Sequence, residues 1–163
     1  MRTACAFGAN PPGRPDKGDD HDMELPGSAQ ELIRSGRLAH LVTLNADGSP
    51  QVSIVWTGLE NGELVTAHLG AYRKVENVRR DPRVAISMEG DGANAIGMQH
   101  HLIVYGRARV EEGGAPAMLQ RLAETYVGPG VTFPPMPNPP EGYLLRIMPE
   151  RIGGLGPWAE RPS

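Results

Sequence analysis

The stretch Arg37-Leu-Ala-His-Leu-Val-Thr-Leu-Asn-Ala-Asp-Gly-Ser-Pro-Gln-Val-Ser-Ile-Val-Trp56 decides the fold. Its two halves, Leu38 to Leu44 and Pro50 to Trp56, are rich in β-branched and apolar residues and short enough to be strands. Between them stands Ala46-Asp-Gly-Ser49. An Asp-Gly pair flanked by two such runs is a strong hairpin signal. A lone hairpin is at best marginally stable, so further strands must cover its apolar face.

Working outward, a third strand of about Leu64 to Ala67 follows the turn Glu60-Asn-Gly62. Val84 to Met88 reads as a fourth strand. His100 to Val110 reads as a long fifth, with Leu102, Val104 and Ala108 apolar, and Tyr143 to Ile147 as a sixth. Residues 89–99, with three Gly, read as a loop. Gly128 to Gly142 reads as a Pro-rich connection. Ser28-Ala-Gln-Glu31 has the form of a capping box before a short helix that ends at Gly36. Ala71 to Pro82 reads as a short exposed helix, stopped by Pro82. Ala115 to Val127 carries Met118, Leu119, Leu122 and Tyr126 on one stripe, as an amphipathic helix does. Together these elements predict an α+β protein built on a closed, six-stranded antiparallel barrel. The strands do not alternate with long helices, which argues against a Rossmann sheet.

The chain has 163 residues, one ordinary domain. Residues 1–27 are read as a disordered N-terminal extension, because Asn10 to Asp22 has almost nothing to bury. The first 22 residues, ahead of Met23, are expected to be dispensable. Residues 28–163 are read as the barrel domain. The net charge of −3 lacks the basic excess of a duplex nucleic-acid binder. No run of 18 apolar residues and no signal-peptide h-region is present, and the single Cys5 permits no internal disulfide. These features lead to the expectation of a cytoplasmic protein with no membrane or nucleic-acid partner.

The chemistry-bearing motifs are few. The sequence contains no Gly-x-Gly-x-x-Gly, Walker loop, Gly-x-Ser-x-Gly or His-Glu-x-x-His. His100 and His101 are adjacent and would face opposite sides of a strand. His40 and His68 stand alone, so no metal site is expected. The informative feature is Arg73-Lys74 at the start of a helix. A helix N-terminus carries partial positive charge and unsatisfied N–H groups, so cations there are mildly unfavourable. A bound anion reverses the sign, and the pair then reads as a phosphate clamp. The alternative is two solvated surface cations. Asn77, one turn on, would add an amide contact, and Arg79, Arg80 and Arg83 continue the basic run.

Three marks in order carry a family resemblance. They are Thr43-x-x-x-Asp47-Gly48-x-Pro50, then Arg73-Lys74-x-x-Asn77-x-x-x-Asp81-Pro82-Arg83, then Gly106-x-Ala108-x-Val110. Over about Leu32 to Leu155 the chain resembles the pyridoxamine 5'-phosphate oxidase-like proteins with the FMN-binding split β-barrel. It is most similar to their branch that uses the deazaflavin coenzyme F420. The resemblance implies a homodimer with cofactor sites at the interface and a flat ring lying on the strand Gln51, Val52, Ser53, Ile54 and Val55. Thr66 and Ala67 would flank the ring or its ribityl chain, Arg73, Lys74 and Asn77 would hold the phosphate, and Trp158 would cover a ring face unless it caps the core. It further implies an oxidoreductase in which reduced coenzyme F420 gives a hydride to a conjugated small molecule of the quinone, tetrapyrrole or enone class. The catalytic residue is unassigned, with Tyr72, His68 and Trp158 as candidate hydrogen-bond donors. The tail Arg146-Ile-Met-Pro-Glu-Arg-Ile lacks an Arg-x-His pair for gripping pyridoxal phosphate, which argues against vitamin B6 chemistry. The rivals are an FMN-dependent oxidase or reductase of the same fold and a non-catalytic flavin- or haem-binding protein.

Overall fold

The computed structural model describes residues 23–159. Seven strands form one antiparallel sheet. They are β1 (Ala39–Leu44), β2 (Pro50–Val55), β3 (Gly58–Glu60), β4 (Glu63–His68), β5 (Arg83–Ala93), β6 (Gln99–Glu112) and β7 (Tyr143–Leu155). The helices are α1 (Gly27–Arg34), α2 (Arg73–Arg80) and α3 (Ala115–Tyr126), followed by a final 3-10 turn, Pro157–Ala159. The spatial order is β2-β1-β5-β6-β7-β4-β3. The two end strands, β2 and β3, are therefore successive in sequence and joined only by Trp56-Thr57, yet no ladder connects them. The barrel is therefore left open between its two edge strands, β2 and β3.

The expected hairpin is present, in the register Leu44↔Pro50 to Ala39↔Val55. Its turn is fixed by Asn45 N–H to Ser49 O (2.8 Å) and by the Asp47 carboxylate, which accepts from the Ser49 N–H at 3.0 Å. Gly48 takes a φ of +82°, which favours glycine. The six-strand reading is corrected to seven. The added strand β3 has three residues and one apolar side chain, so it carries no periodic signal. It forms by pairing Gly58↔Val65 to Glu60↔Glu63 across the Asn61-Gly62 turn. The 89–99 loop is also shorter than read, because β5 and β6 extend into it as far as Ala93 and Gln99. Strand β7 continues past Ile147 to Leu155, through a register shift opposite Tyr105/Gly106.

The core fills the barrel with Leu41, Leu64, Ile86, Leu102, Val104, Leu145 and Ile147, all essentially inaccessible to water. A second cluster (Val65, Ala67, Ala115, Met118, Leu122, Leu144) lies where α3 covers β4. Strand β4 is therefore buried on both faces. Helix α2 is half-buried rather than exposed: Val75 and Val78 insert into the barrel core. The capping-box reading is corrected as well. Helix α1 begins at Gly27, with Pro26 in the N-cap position and no side-chain cap. Gly36 does terminate it, with φ +82°. The boundary at residue 28 moves upstream, since Leu25 is buried in the core and Met23 packs against it. The dispensability of residues 1–22 falls on a segment outside the described residues. No described helix is long and apolar enough to cross a membrane.

Candidate functional site

Helix α2 begins where β4 has ended, so its first turn stands near the C-terminal end of that strand. Its N-cap residue is Tyr72, which offers no capping oxygen. The Val75 and Glu76 N–H groups bond Tyr72 O, while the Arg73 and Lys74 N–H groups have no partner among the described residues. The two side chains at this end make no ion pair or hydrogen bond among the described residues. Lys74 is half-buried, its Nζ 5.3 Å from the Tyr72 ring centroid, and burial holds its ammonium below the ordinary lysine range.

The rest of the basic run is engaged. Arg79 pairs with Glu76 and Glu112. Arg80 donates to Leu44 O and Asn77 Oδ1. Arg83 grips Asp81, whose carboxyl is held down to about 2, chiefly by that guanidinium. Asn77 is buried, and its Nδ2 donates to Thr43 Oγ1 and Asn45 Oδ1, each at 3.0 Å. Its amide is thus a strut between α2 and the end of β1, and its assignment as a phosphate contact is corrected on that ground.

Two cavities flank the turn. The first is an open cleft of about 660 Å³, lined by Asn45, Asp47, Ser49, Arg73, Asn77 and Arg80 among others. The second is smaller, about 230 Å³, and more apolar: Ile54, Val55, Trp56, Ala67, His68, Lys74, Leu119 and Phe133 line it. Arg73 lines the first cavity and Lys74 the second. Next to Lys74, His68 is buried, and its Nε2 lies 2.8 Å from Thr66 Oγ1. Burial first, and the Lys74 charge second, push the His68 pKa down to about 3, so its imidazole is neutral.

The structure brings Ile54, Val55, Ala67 and Lys74 together around the smaller cavity, and places Gln51, Val52 and Ser53 farther along β2 outside both linings. Val52 and Ile54 are each 54% exposed, on an edge strand with one unpaired side. Thr66 is fully buried and bonded to His68. Of the two readings of Trp158, the structure favours the core cap. It packs in the barrel cluster, donates from Nε1 to His101 O at 3.1 Å and lines neither cavity. Its indole is already held, so the ring-covering and donor roles are withdrawn for the described chain.

Sequence reasoning missed Leu119, Phe133 and the wall use of Trp56. Trp56 stacks on Tyr126 (centroids 5.3 Å apart, planes at 14°) and meets Phe133 at 5.1 Å. Phe133 lies in the Pro-rich segment read as a connection. The Gln120 side chain fixes it there, donating to Val131 O and accepting from Phe133 N–H, both at 2.8 Å. Gly142 returns this segment to β7 at φ +59°, where any Cβ would collide with the His68 carbonyl oxygen.

Comparison with solved structures places this architecture among known ones. An "F420 Reductase" aligns with a TM-score of 0.66 at 22% identity, over 79% of this chain and 98% of that one. The conserved hypothetical protein Rv2991 from Mycobacterium tuberculosis aligns at 0.62 and 23%, over 85% and 89%. A FAD-binding protein from Mesorhizobium loti aligns at 0.58 and 18%, over 80% and 94%. At these identities the likeness concerns the fold. A sequence search of curated proteins finds no match. The family model described as pyridoxamine 5'-phosphate oxidase matches residues 25–156, from the core residue Leu25 to the end of β7 and every site residue above except Trp158. The chain belongs to the pyridoxamine 5'-phosphate oxidase family.

Proposed function

We propose that the protein is a coenzyme F420-dependent reductase that works as a homodimer and transfers a hydride to a conjugated small molecule. The observation that carries this reading is the first turn of α2: two cations with no ion pair or hydrogen bond among the described residues, on an uncapped helix end beside an apolar cavity. Such an end is an anion site, and the free β2 edge, which shares Ile54 and Val55 with the cavity lining, can take a flat ring. Lys74 gains most from an anion, because its charge is half-buried and has no carboxylate partner among the described residues. Arg73, on the open cleft, would meet the more exposed part of the same acidic group. The β2 edge offers free backbone N–H and C=O groups to a ring's polar rim, and the Val52 and Ile54 side chains offer apolar contact.

Reduced deazaflavin supplies the hydride when bound. The residues of this chain bind its anionic end and keep a neutral imidazole next to Lys74. Tyr72, 55% exposed at the mouth of α2, is retained as a candidate hydrogen-bond donor. The exposed Val52 and Ile54 support a second copy packing on β2, and light scattering at micromolar concentration is expected to give twice the chain mass. The lone Cys5 fits a reducing cytoplasm.

FMN is the second reading, favoured by the similarity to a FAD-binding protein, since the same two cations would take its phosphate. Titration of the protein with coenzyme F420 and with FMN, followed by ligand fluorescence, separates the two. Tight binding of F420 alone is the expected result. Tight binding of FMN alone transfers the protein to flavin chemistry, and binding of neither overturns both.

A further inference from the structure

The aromatic end of the smaller cavity is built by elements distant in sequence, and the strand-edge cofactor reading does not use it. Trp56 is held from behind by Tyr126, whose hydroxyl accepts from Thr57 N–H (2.9 Å) and donates to Arg37 O (2.8 Å). From the side it meets Phe133, whose segment is fastened by both ends of the Gln120 amide. Leu119, one residue before Gln120, completes the wall. Two aromatic rings and a leucine half-exposed in a cavity are a poor arrangement for folding alone, since they leave apolar surface wet. They are a good arrangement for receiving a flat apolar ring.

We propose that Trp56, Leu119 and Phe133 form the binding wall for the ring of the hydride acceptor, and that Gln120 is the positioning residue that sets which acceptors fit. This rests on the reductase reading above. The cavity shares Ile54 and Val55 with the strand assigned to the cofactor ring, so an occupant is brought next to that ring. Its volume of about 230 Å³ falls below that of a site enclosing a whole drug-sized ligand, so it admits one ring system and leaves a tail outside. The wall carries no charge, whereas the opposite end of the lining carries Lys74, so an uncharged ring belongs at the wall and an anion at the lysine.

The chain contains two tryptophans, Trp56 in the cavity and Trp158 in the core. The difference in emission between the protein and its Trp56→Phe variant therefore reports Trp56. Titration with menadione in the absence of coenzyme is expected to quench that difference signal to saturation. Phe133→Ala is expected to weaken the titration roughly three- to tenfold. Gln120→Ala should weaken it less, and Gln120→Glu, which keeps the bond from Phe133 N–H, should fall between Gln120→Ala and the unaltered protein. With coenzyme F420 present, the same variants should raise the KM for menadione and leave that for cyclohexenone, which lacks a flat aromatic face, unchanged. Quenching that does not saturate, or is equal in Trp56→Phe, overturns the proposal. So does an unaltered titration in Phe133→Ala. Saturating quenching by coenzyme F420 alone, with menadione competing for it, assigns the wall to the coenzyme and also overturns the proposal. Failure of coenzyme to bind would show in its own fluorescence titration and leaves the menadione result interpretable.

Discussion

The two ends of helix α2 carry the same kind of residue and use it in opposite ways. At the C-terminal end, Arg79, Arg80 and, just beyond, Arg83 meet carboxylates, a carbonyl and an amide within their own neighbourhood. At the N-terminal end, Arg73 and Lys74 meet none among the described residues, and the helix dipole there opposes them. Cations at a helix C-terminus need no further reason, whereas cations at an uncapped N-terminus call for a ligand. The lesson is that a basic run is read by the partners each residue has, not by its length.

The comparison breaks most sharply on the N-terminal pair. Arg73→Ala with Lys74→Ala is expected to weaken coenzyme binding at least ~100-fold, as loss of two charge-assisted contacts should. The denaturation midpoint should hardly move. Unchanged affinity in a fluorescence titration would remove the distinction between the two ends.

Asn77 sharpens it from the structural side. Asn77→Ala removes both donors from Thr43 and Asn45, leaves Thr43 buried and frees Arg80, so urea denaturation should show a loss of about 2–3 kcal/mol. Affinity per folded molecule should change far less than in the double variant.

His68 gives the comparison a pH dependence. Its folded pKa of about 3 lies below the ordinary value of 6.5, so the preference for the neutral ring stabilises the fold fully above about pH 6.5. That stabilisation is lost as pH falls, by up to about 1.4 kcal/mol per unit, until the folded pKa is reached. Between pH 6.5 and 5, before the carboxylates titrate, stability should fall in the natural chain and fall much less in His68→Gln.

The smallest effect is expected at the other end of the helix. Arg79→Ala and Arg83→Ala, whose ion pairs are exposed, should alter neither affinity nor denaturation midpoint measurably. A large loss of coenzyme binding in either would extend the anion site along the whole helix.

The hairpin and most strands were legible because their signals are local: an Asp-Gly turn, alternation, a Pro after a helix. Strand β3 was not, since three residues acquire strand identity only from β4. The basic pair was legible as a charge set against a helix end. The misreading of Asn77 has a different source: its amide is taken by Thr43, 34 residues earlier, and no local pattern reveals that. Trp158 stays open between two roles in the sequence because nothing in the Gly-rich stretch before it places it; that stretch is the end of β7 and carries the indole into the core. Phe133 was hidden for a related reason. A Pro-rich segment has no periodicity to read, and what gives Phe133 a fixed place is one glutamine on another element.

The barrel's seam has a consequence for motion. Strands β2 and β3 have no ladder between them, and the Tyr126 hydroxyl ties their short connection at Thr57 to Arg37, ahead of β1. Neighbouring strands elsewhere are zipped by rows of backbone bonds that must fail together, but no such row joins β2 to β3. The molecule can therefore gape along a single line while the remaining walls stay shut. Amide deuteration should run ahead at β2 and β3, and the wet edge so exposed is the one that carries Val52 and Ile54.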